Sequence, residues 1–152
     1  MTDPALAELA LLDGFAQLLT DHGFVYGGAD AAEAYPADVD WPVYLGRLPA
    51  GRTAVAVIGP TADAAVDGSS TRYGVQLLVR CRPTVAEGAR VRQRIRDALH
   101  DRRHPPMPAG IRCTHIRLDS AVRLPGGSWD QHSLNFTALC ARASAWAGGA
   151  AY

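Results

Sequence analysis

The chain has 152 residues and a mass of 16.1 kDa, room for one domain with a core able to bury most of its apolar surface. Hydrophobic residues make up 48% and charged residues 20%, which excludes a disordered acidic chain and a polar low-complexity one. The formal net charge is zero, 15 basic side chains against 15 acidic ones, so bulk electrostatics gives no reason to expect a nucleic-acid or anionic-membrane binder.

That zero conceals a split. Residues 1 to 70 carry ten acids and two arginines, a net of −8, whereas residues 71 to 152 carry thirteen arginines and five acids, a net of +8. Every basic residue is arginine; together with the abundant alanine this fits a GC-rich coding bias, and arginine also suits planar, partly desolvated contacts between proteins. The three cysteines, Cys81, Cys113 and Cys140, are odd in number and widely spaced, as expected for free thiols in a reducing compartment. The start, MTDPALAELA, lacks the basic region of a secretory leader, and no apolar run approaches the ~18 residues that span a bilayer.

Residues 4 to 22 form the first expected helix, with Asp3 as cap, Pro4 at the first helical position and Gly23 just beyond the end. Its apolar stripe is Leu6, Leu9, Leu12, Ala16 and Leu19, widened by Leu11, Phe15 and Leu18. Residues 26 to 40 have no period and read as a loop. Val43 to Arg47 and Thr53 to Ile58 read as short strands joined in a hairpin by a Pro-Ala-Gly turn, and Pro60 to Thr71 as a second, polar loop. Tyr73 to Arg82 alternates cleanly, Tyr73, Val75, Leu77, Val79 and Cys81 on one side and Gln76, Arg80 and Arg82 on the other. Thr84 and Glu87 make a capping box for a helix running to about His100, with Val85, Gly88, Val91, Ile95, Ala98 and Leu99 on one arc. After the rigid connector RHPPMPAG come strands Ile111 to Val122 and His132 to Ala143, turned by Pro125-Gly126-Gly127-Ser128, and a flexible tail over residues 144 to 152. The order predicts an α+β domain over residues 1 to 143: a largely antiparallel, mixed sheet with two helices packed on one face.

Signals for catalysis are sparse. Cys113-x-His115 puts a thiol and an imidazole on one strand face, but nothing nearby supplies two further zinc ligands. His22, His100, His104 and His132 fall near element ends, and neither Gly68-Ser69-Ser70 nor Gly127-Ser128-Trp129 stands in the strand–elbow–helix context of a hydrolase. There is no Walker-type loop and no dinucleotide fingerprint, so no catalytic residue, metal or cofactor is expected. Arg90, Arg92, Arg94 and Arg96 spread over two faces of their helix, with Glu87–Arg90 and Arg94–Asp97 as internal pairs at i,i+3, the pattern of a solvated helix first, then of an interface rim, and last of a DNA contact. The interface candidates by exposure and charge are Arg72, Arg80, Arg82, Arg90, Arg94, Arg123 and Trp129; Trp41 and Trp146 also fall in loop or tail.

Several segments in order carry a resemblance. They are Leu11-Leu12-Asp13-Gly14, Tyr44-Leu45-Gly46-Arg47-Leu48-Pro49, Ala54-Val55-Ala56-Val57, Tyr73-Gly74-Val75-Gln76-Leu77-Leu78-Val79-Arg80, Asp97-Ala98-Leu99-His100 and Ser133-Leu134-Asn135-Phe136. Over residues 6 to 143 this resembles the tail terminator, or minor capsid, proteins of long-tailed, siphovirus-like bacteriophages. The Gly-Val-Gln-x-x-x-Arg strand and the Asn-Phe strand are its most specific pieces; Leu124-Pro125-Gly126-Gly127 departs from the family's usual Leu-Gly-x-Asp.

The resemblance implies a non-catalytic virion protein at the head–tail junction, made in the host cytoplasm. Such a protein forms a ring, a hexamer, on the finished tail tube, stops its polymerisation and presents the surface that joins the capsid. Its expected partners are itself, the tail tube protein and a head-completion or connector protein, with no membrane or direct nucleic-acid contact. A head-completion or stopper protein is an alternative, and a soluble binding module using the Arg90 to Arg103 surface is another.

Overall fold

The computed structural model describes residues 4–28, 35–36, 38–65 and 70–141. Two helices, α1 (Pro4–Thr20) and α2 (Val85–Leu99), lie against a six-stranded sheet of β1 (Val43–Leu45), β2 (Ala54–Ala65), β3 (Ser70–Cys81), β4 (Arg102–Arg103), β5 (Arg112–Leu124) and β6 (Asp130–Ala141). The strand order is β1-β2-β3-β6-β5-β4, mixed, and the α+β class read from the sequence is the one observed. Asp3 and residues 142 to 152, where a helix cap and a tail are expected, lie outside the described residues.

One face of the sheet carries the core. Val75, Leu77, Val79 and Cys81 of β3 and Leu134, Phe136, Ala138 and Cys140 of β6 are buried on it, as period-two alternation requires. Both helices close over this face: Leu11, Phe15 and Leu19 of α1 and Val91, Ile95 and Leu99 of α2 join the same cluster. Phe15 meets Phe136 edge to face at 6.1 Å between ring centres. The two segments most specific to the resemblance pair with each other at the centre of the sheet, Val75 opposite Phe136 and Gln76 opposite Asn135.

Several expectations are corrected. The stripe of α1 is rotated toward Leu11, Phe15, Leu18 and Leu19; Leu9 is 46% exposed and Leu12 only half-buried, because the wider of the two possible stripes presents the larger side chains to the sheet. β1 and β2 do not form a hairpin. They run parallel, Val43 beside Val55 and Leu45 beside Val57. The turn-like residues 46–53 serve as a short crossover, begun by Gly46 at φ 95° with its N–H on the Val57 carbonyl. The polar loop expected from Pro60 to Thr71 is largely strand: β2 continues to Ala65 and pairs with β3, absorbing Gly59-Pro60 in a register shift between Ile58 and Thr61.

At α2 the box is half-formed. Thr84 Oγ1 accepts from the Glu87 N–H, but Glu87 reaches back to the N–H of Arg82 instead of Thr84. Val85 is 78% exposed, because residues 82 to 86 all stand off the sheet at this end of the helix. The connector after α2 also contributes β4, which covers only the base of β5, Arg102 opposite Ile116 and Arg103 opposite His115.

Candidate functional site

The face of the sheet away from the helices is covered on one side only. Near β1 and β2, Tyr35 and Leu48 pack on Tyr44 and Ala54, and Tyr35 meets Tyr44 edge to face at 5.2 Å. Across β3, β6 and β5 the face is a polar ladder. Gln76 Nε2 donates to Ser133 Oγ at 2.7 Å and Asn135 Nδ2 to Ser120 Oγ at 3.1 Å. Thr137 donates to Asp119, which also accepts from Arg117 Nε at 2.9 Å. Arg72, His115, Arg117, Thr137 and Leu139 line a shallow depression of about 270 Å³ on it.

Among the described residues, the β5–β6 hairpin extends past everything that covers its base. Leu118 N–H donates to His100 Nδ1 at 3.0 Å, and beyond it residues 119 to 124 are all exposed, including Val122 at 50% and Leu124 at 48%. Hydrogen-bond direction along this edge follows from the register. Val55 donates its N–H to Pro42 on the β1 side, so it is a non-bonded partner of Val79; Val79 then bonds His132, and His132 is a non-bonded partner of Arg123. By the same alternation the main-chain groups of Ala121 and Arg123 point outward, and no described residue meets them.

Where the hairpin meets α2 there is a buried polar group. Asp130 and His132 are each 1% exposed. Asp130 takes Arg123 Nη2 at 2.7 Å and the Gly126 N–H; burial works to raise its carboxyl, but these partners prevail and hold it below the usual range. His132 Nδ1 lies 3.0 Å from Arg92 Nη1, and its Nε2, facing Gly88, has no hydrogen-bond partner. Burial, reinforced by Arg92, lowers the imidazole from its ordinary value, so the ring is held neutral.

The residues proposed from exposure and charge are divided by the structure. Arg82, Arg90 and Arg123 are exposed, Arg72 is exposed at the lip of the depression, and Trp129 is partly exposed at the hairpin turn. Arg80 and Arg94 instead hold loop carbonyls. Arg80 donates to Pro49, and Arg94 gives Nε to His22 at 3.1 Å and Nη2 to Gly23 at 3.0 Å, stacking 4.9 Å from the Phe24 ring centre and 5.8 Å from that of Trp41. Arg52, unremarkable in the sequence, does the same for Pro36 and Val39. Thus three arginines, one each from the crossover, β3 and α2, hold carbonyls of the irregular segments in place, a use of the multi-donor guanidinium that charge counting does not reveal.

Trp41 folds onto the core, its ring 6.0 Å from Phe24 and edge-on to it; Trp146 lies outside the described residues. Of the helix pairs expected, neither forms: Asp97 accepts from Gln93, and Arg94 turns to α1. The Cys113–His115 pair is also dissolved, because a bulge between them puts Cys113 opposite Cys140 in the core and His115 opposite Leu139 on the outer face. All three thiols are buried; burial pushes Cys81 up to about 11, and the hydrogen bond between Cys140 and Cys113, reinforced by burial, raises Cys140. Among the described residues no group of three or more His, Cys, Asp or Glu side chains is placed to hold a metal, and no helix is long and apolar enough to cross a membrane.

The geometry therefore defines a two-layer α+β domain whose distinctive surface, among the described residues, is an open sheet face ending in a protruding edge. No family model and no curated protein matches the sequence. The fold is shared with a chain of a solved virion, that of a native gene transfer agent particle, at a TM-score of 0.60 and 18% identity, over 88% of this chain and 96% of the other. A second solved chain aligns at a TM-score of 0.50 and 15% identity, over 75% of this chain and 86% of its own length.

Proposed function

We propose that this chain is a structural protein of a phage-like virion that forms a ring on the end of the tail tube, ends its polymerisation and offers the surface to which the head joins. The observation that carries this reading is the nearly end-to-end likeness of its fold to a chain of the gene transfer agent virion, 96% of which is covered. The ordered segments that resemble tail terminators support it, and their two most specific pieces are paired strands. The partners are further copies of the chain in a hexamer, the tail tube protein and a head-completion or connector protein. Arg72, Arg82, Arg90, Arg123 and Trp129 are the contact residues in this reading, while Arg80 and Arg94 shape the loops beside them. The chain acts by binding, without catalysis.

The test is electron microscopy of the purified protein mixed with assembling tail tube protein. Tubes of limited length with a ring at one end support the reading. A protein that neither caps tubes nor limits their length sinks it, and rings that bind the connector but ignore tubes would make it a stopper.

A further inference from the structure

We propose that Cys113 and Cys140 are a redox-active pair: a small hydroperoxide entering beside Cys113 converts the two thiols to a disulfide that ties β5 to β6 at the base of the hairpin. This goes beyond the ring reading and does not depend on it. The register sets the two cysteines directly opposite one another, and both are buried in the core beneath the sheet. Opposed residues of an antiparallel pair have Cα atoms about 4.5 or 5.5 Å apart, and a disulfide spans about 4.4–6.8 Å, so either kind of pair can be bridged. The side chains already meet. Cys140 donates a hydrogen bond to the Cys113 sulfur, whose own thiol faces the His115 carbonyl at 3.6 Å.

Access distinguishes the two sulfurs. Among the described residues, Cys113 and not Cys140 borders a surface depression of about 450 Å³, whose other walls include Pro105, Met107, Ile111 and Thr114. Cys113 is 3% exposed and Cys140 1%, so a bulky reagent is shut out, while a molecule as small as hydrogen peroxide can reach the Cys113 sulfur through the depression. The hydrogen bond that raises Cys140 also lowers Cys113 against its burial, so the sulfur at the depression is the readier thiolate. In the first step the Cys113 thiolate attacks one oxygen of the hydroperoxide. The S–O bond forms, the O–O bond breaks, and the other oxygen takes up the proton Cys113 gave and leaves as water or an alcohol. The Cys140 sulfur then attacks the sulfenic sulfur of Cys113; the S–S bond forms, the S–O bond breaks, and the departing hydroxide takes the Cys140 proton and leaves as water. The dithiol gives up two electrons and the hydroperoxide accepts them. A chain folded with reduced thiols and later carried into an oxidising medium gains the tie only after its sheet is formed.

The test treats the purified, reduced full chain with hydrogen peroxide under native conditions. After the oxidant is removed, the remaining thiols are counted by alkylation in denaturant and located by peptide mass. Thiol counting is the readout because Met107, at the same depression, also takes up oxygen. Cys81 is the internal control, a buried thiol that stands opposite Asp130 on the far side of β6. Cys113 and Cys140 are expected to disappear together into one linked peptide, at least about tenfold faster than Cys81. The Tm is expected to rise by roughly 5–10 °C, because the bond closes the loop that contains the hairpin turn, and dithiothreitol is expected to reverse both changes. In Cys140→Ala, Cys113 is expected to gain oxygen without forming a disulfide. In Cys113→Ala, Cys140 is expected to be oxidised at least about tenfold more slowly than in the wild type.

A native wild type that keeps all three thiols overturns the proposal, whether or not either variant folds. So does loss of Cys81 as fast as the pair, which places the reaction in the unfolded chain, and so do disulfides between copies. Oxidation of Cys140 at the wild-type rate in a folded Cys113→Ala chain overturns the entry beside Cys113. A Cys113–Cys140 bond that leaves Tm unchanged overturns the tie. None of these outcomes involves rings or tubes, so the tail reading fails or stands by its own experiment.

Discussion

Replacing Arg94 by alanine separates a residue that builds the fold from one that meets a partner. The guanidinium gives two hydrogen bonds to the carbonyls of His22 and Gly23 and stacks on Phe24 and Trp41. Hydrogen bonds from a charged donor are worth about 1.5–3 kcal/mol each when desolvated. Both His22 and Gly23 reach solvent, so water replaces much of that, and about 1 kcal/mol for each is the reasonable share. The stacking adds about 0.5–1 kcal/mol at a partly exposed site. Arg94→Ala should therefore destabilise the chain by about 2–3 kcal/mol, a fall of roughly 5–10 °C in Tm for a domain of this size. Arg94→Lys keeps a charge over the rings but loses the fork, and should recover about half. Arg90→Ala, on the exposed side of the same helix, should stay within about 0.5 kcal/mol of wild type. Urea unfolding followed by circular dichroism measures all three. If Arg94→Ala unfolds like wild type yet fails to self-associate, Arg94 is an interface residue and the structural reasoning is wrong.

Three further outcomes follow from the core. A methyl at Gly88 would lie 3.0 Å from Nε2 and 3.2 Å from Cε1 of His132, whose ring is buried and held by Arg92; Gly88→Ala should thus cost about 1 kcal/mol despite alanine's higher helix propensity, and a more stable variant would refute the packing. Because the His132 imidazole is lowered from 6.5 in the folded chain, the unfolded state takes up the proton first. The stability it protects is whole above about pH 6.5 and is lost as pH falls toward the lower folded value; His132→Gln should flatten urea stability between pH 7 and 5, and an unchanged slope would count against a buried neutral ring. Cys81, Cys113 and Cys140 should resist a thiol reagent in the native chain and react at the rate of unfolding, whereas prompt labelling of any of them would contradict its burial.

The elements legible in the sequence are those whose signal is local. Alternation in residues 73 to 82 gave both the strand and its buried face, and Thr84 marked the start of α2, because a period-two pattern and a cap are decided by neighbours in the chain. Pairing is decided at long range, which is why residues 46–53 looked like a hairpin turn: glycine and proline signal a change of direction but not which strand is met afterwards. Bulges invert a pattern without any compositional mark, so Cys113 and His115 could not be assigned to opposite faces from spacing. The candidate surface was partly legible. Arg123 and Trp129 stand out by charge and position, but the exposed stretch 119–124 reads like any other strand, since nothing local tells that β4 would stop at two residues. Arg52, Arg80 and Arg94 fill carbonyl-capping roles that depend on where distant loops fall.

The charge split gains its meaning from topology. β3 and β6 take the centre of the sheet, with β2 and β1 on one side and β5 and β4 on the other. Arg52 and Arg94 bring their charge into the same region, where their guanidinium groups hold the carbonyls of Pro36, Val39, His22 and Gly23 close to Asp21, Asp38 and Asp40 in the chain. A molecule of zero net charge has no overall repulsion to oppose its association. Low overall repulsion suits the ring proposed for this chain, in which identical copies must pack side by side.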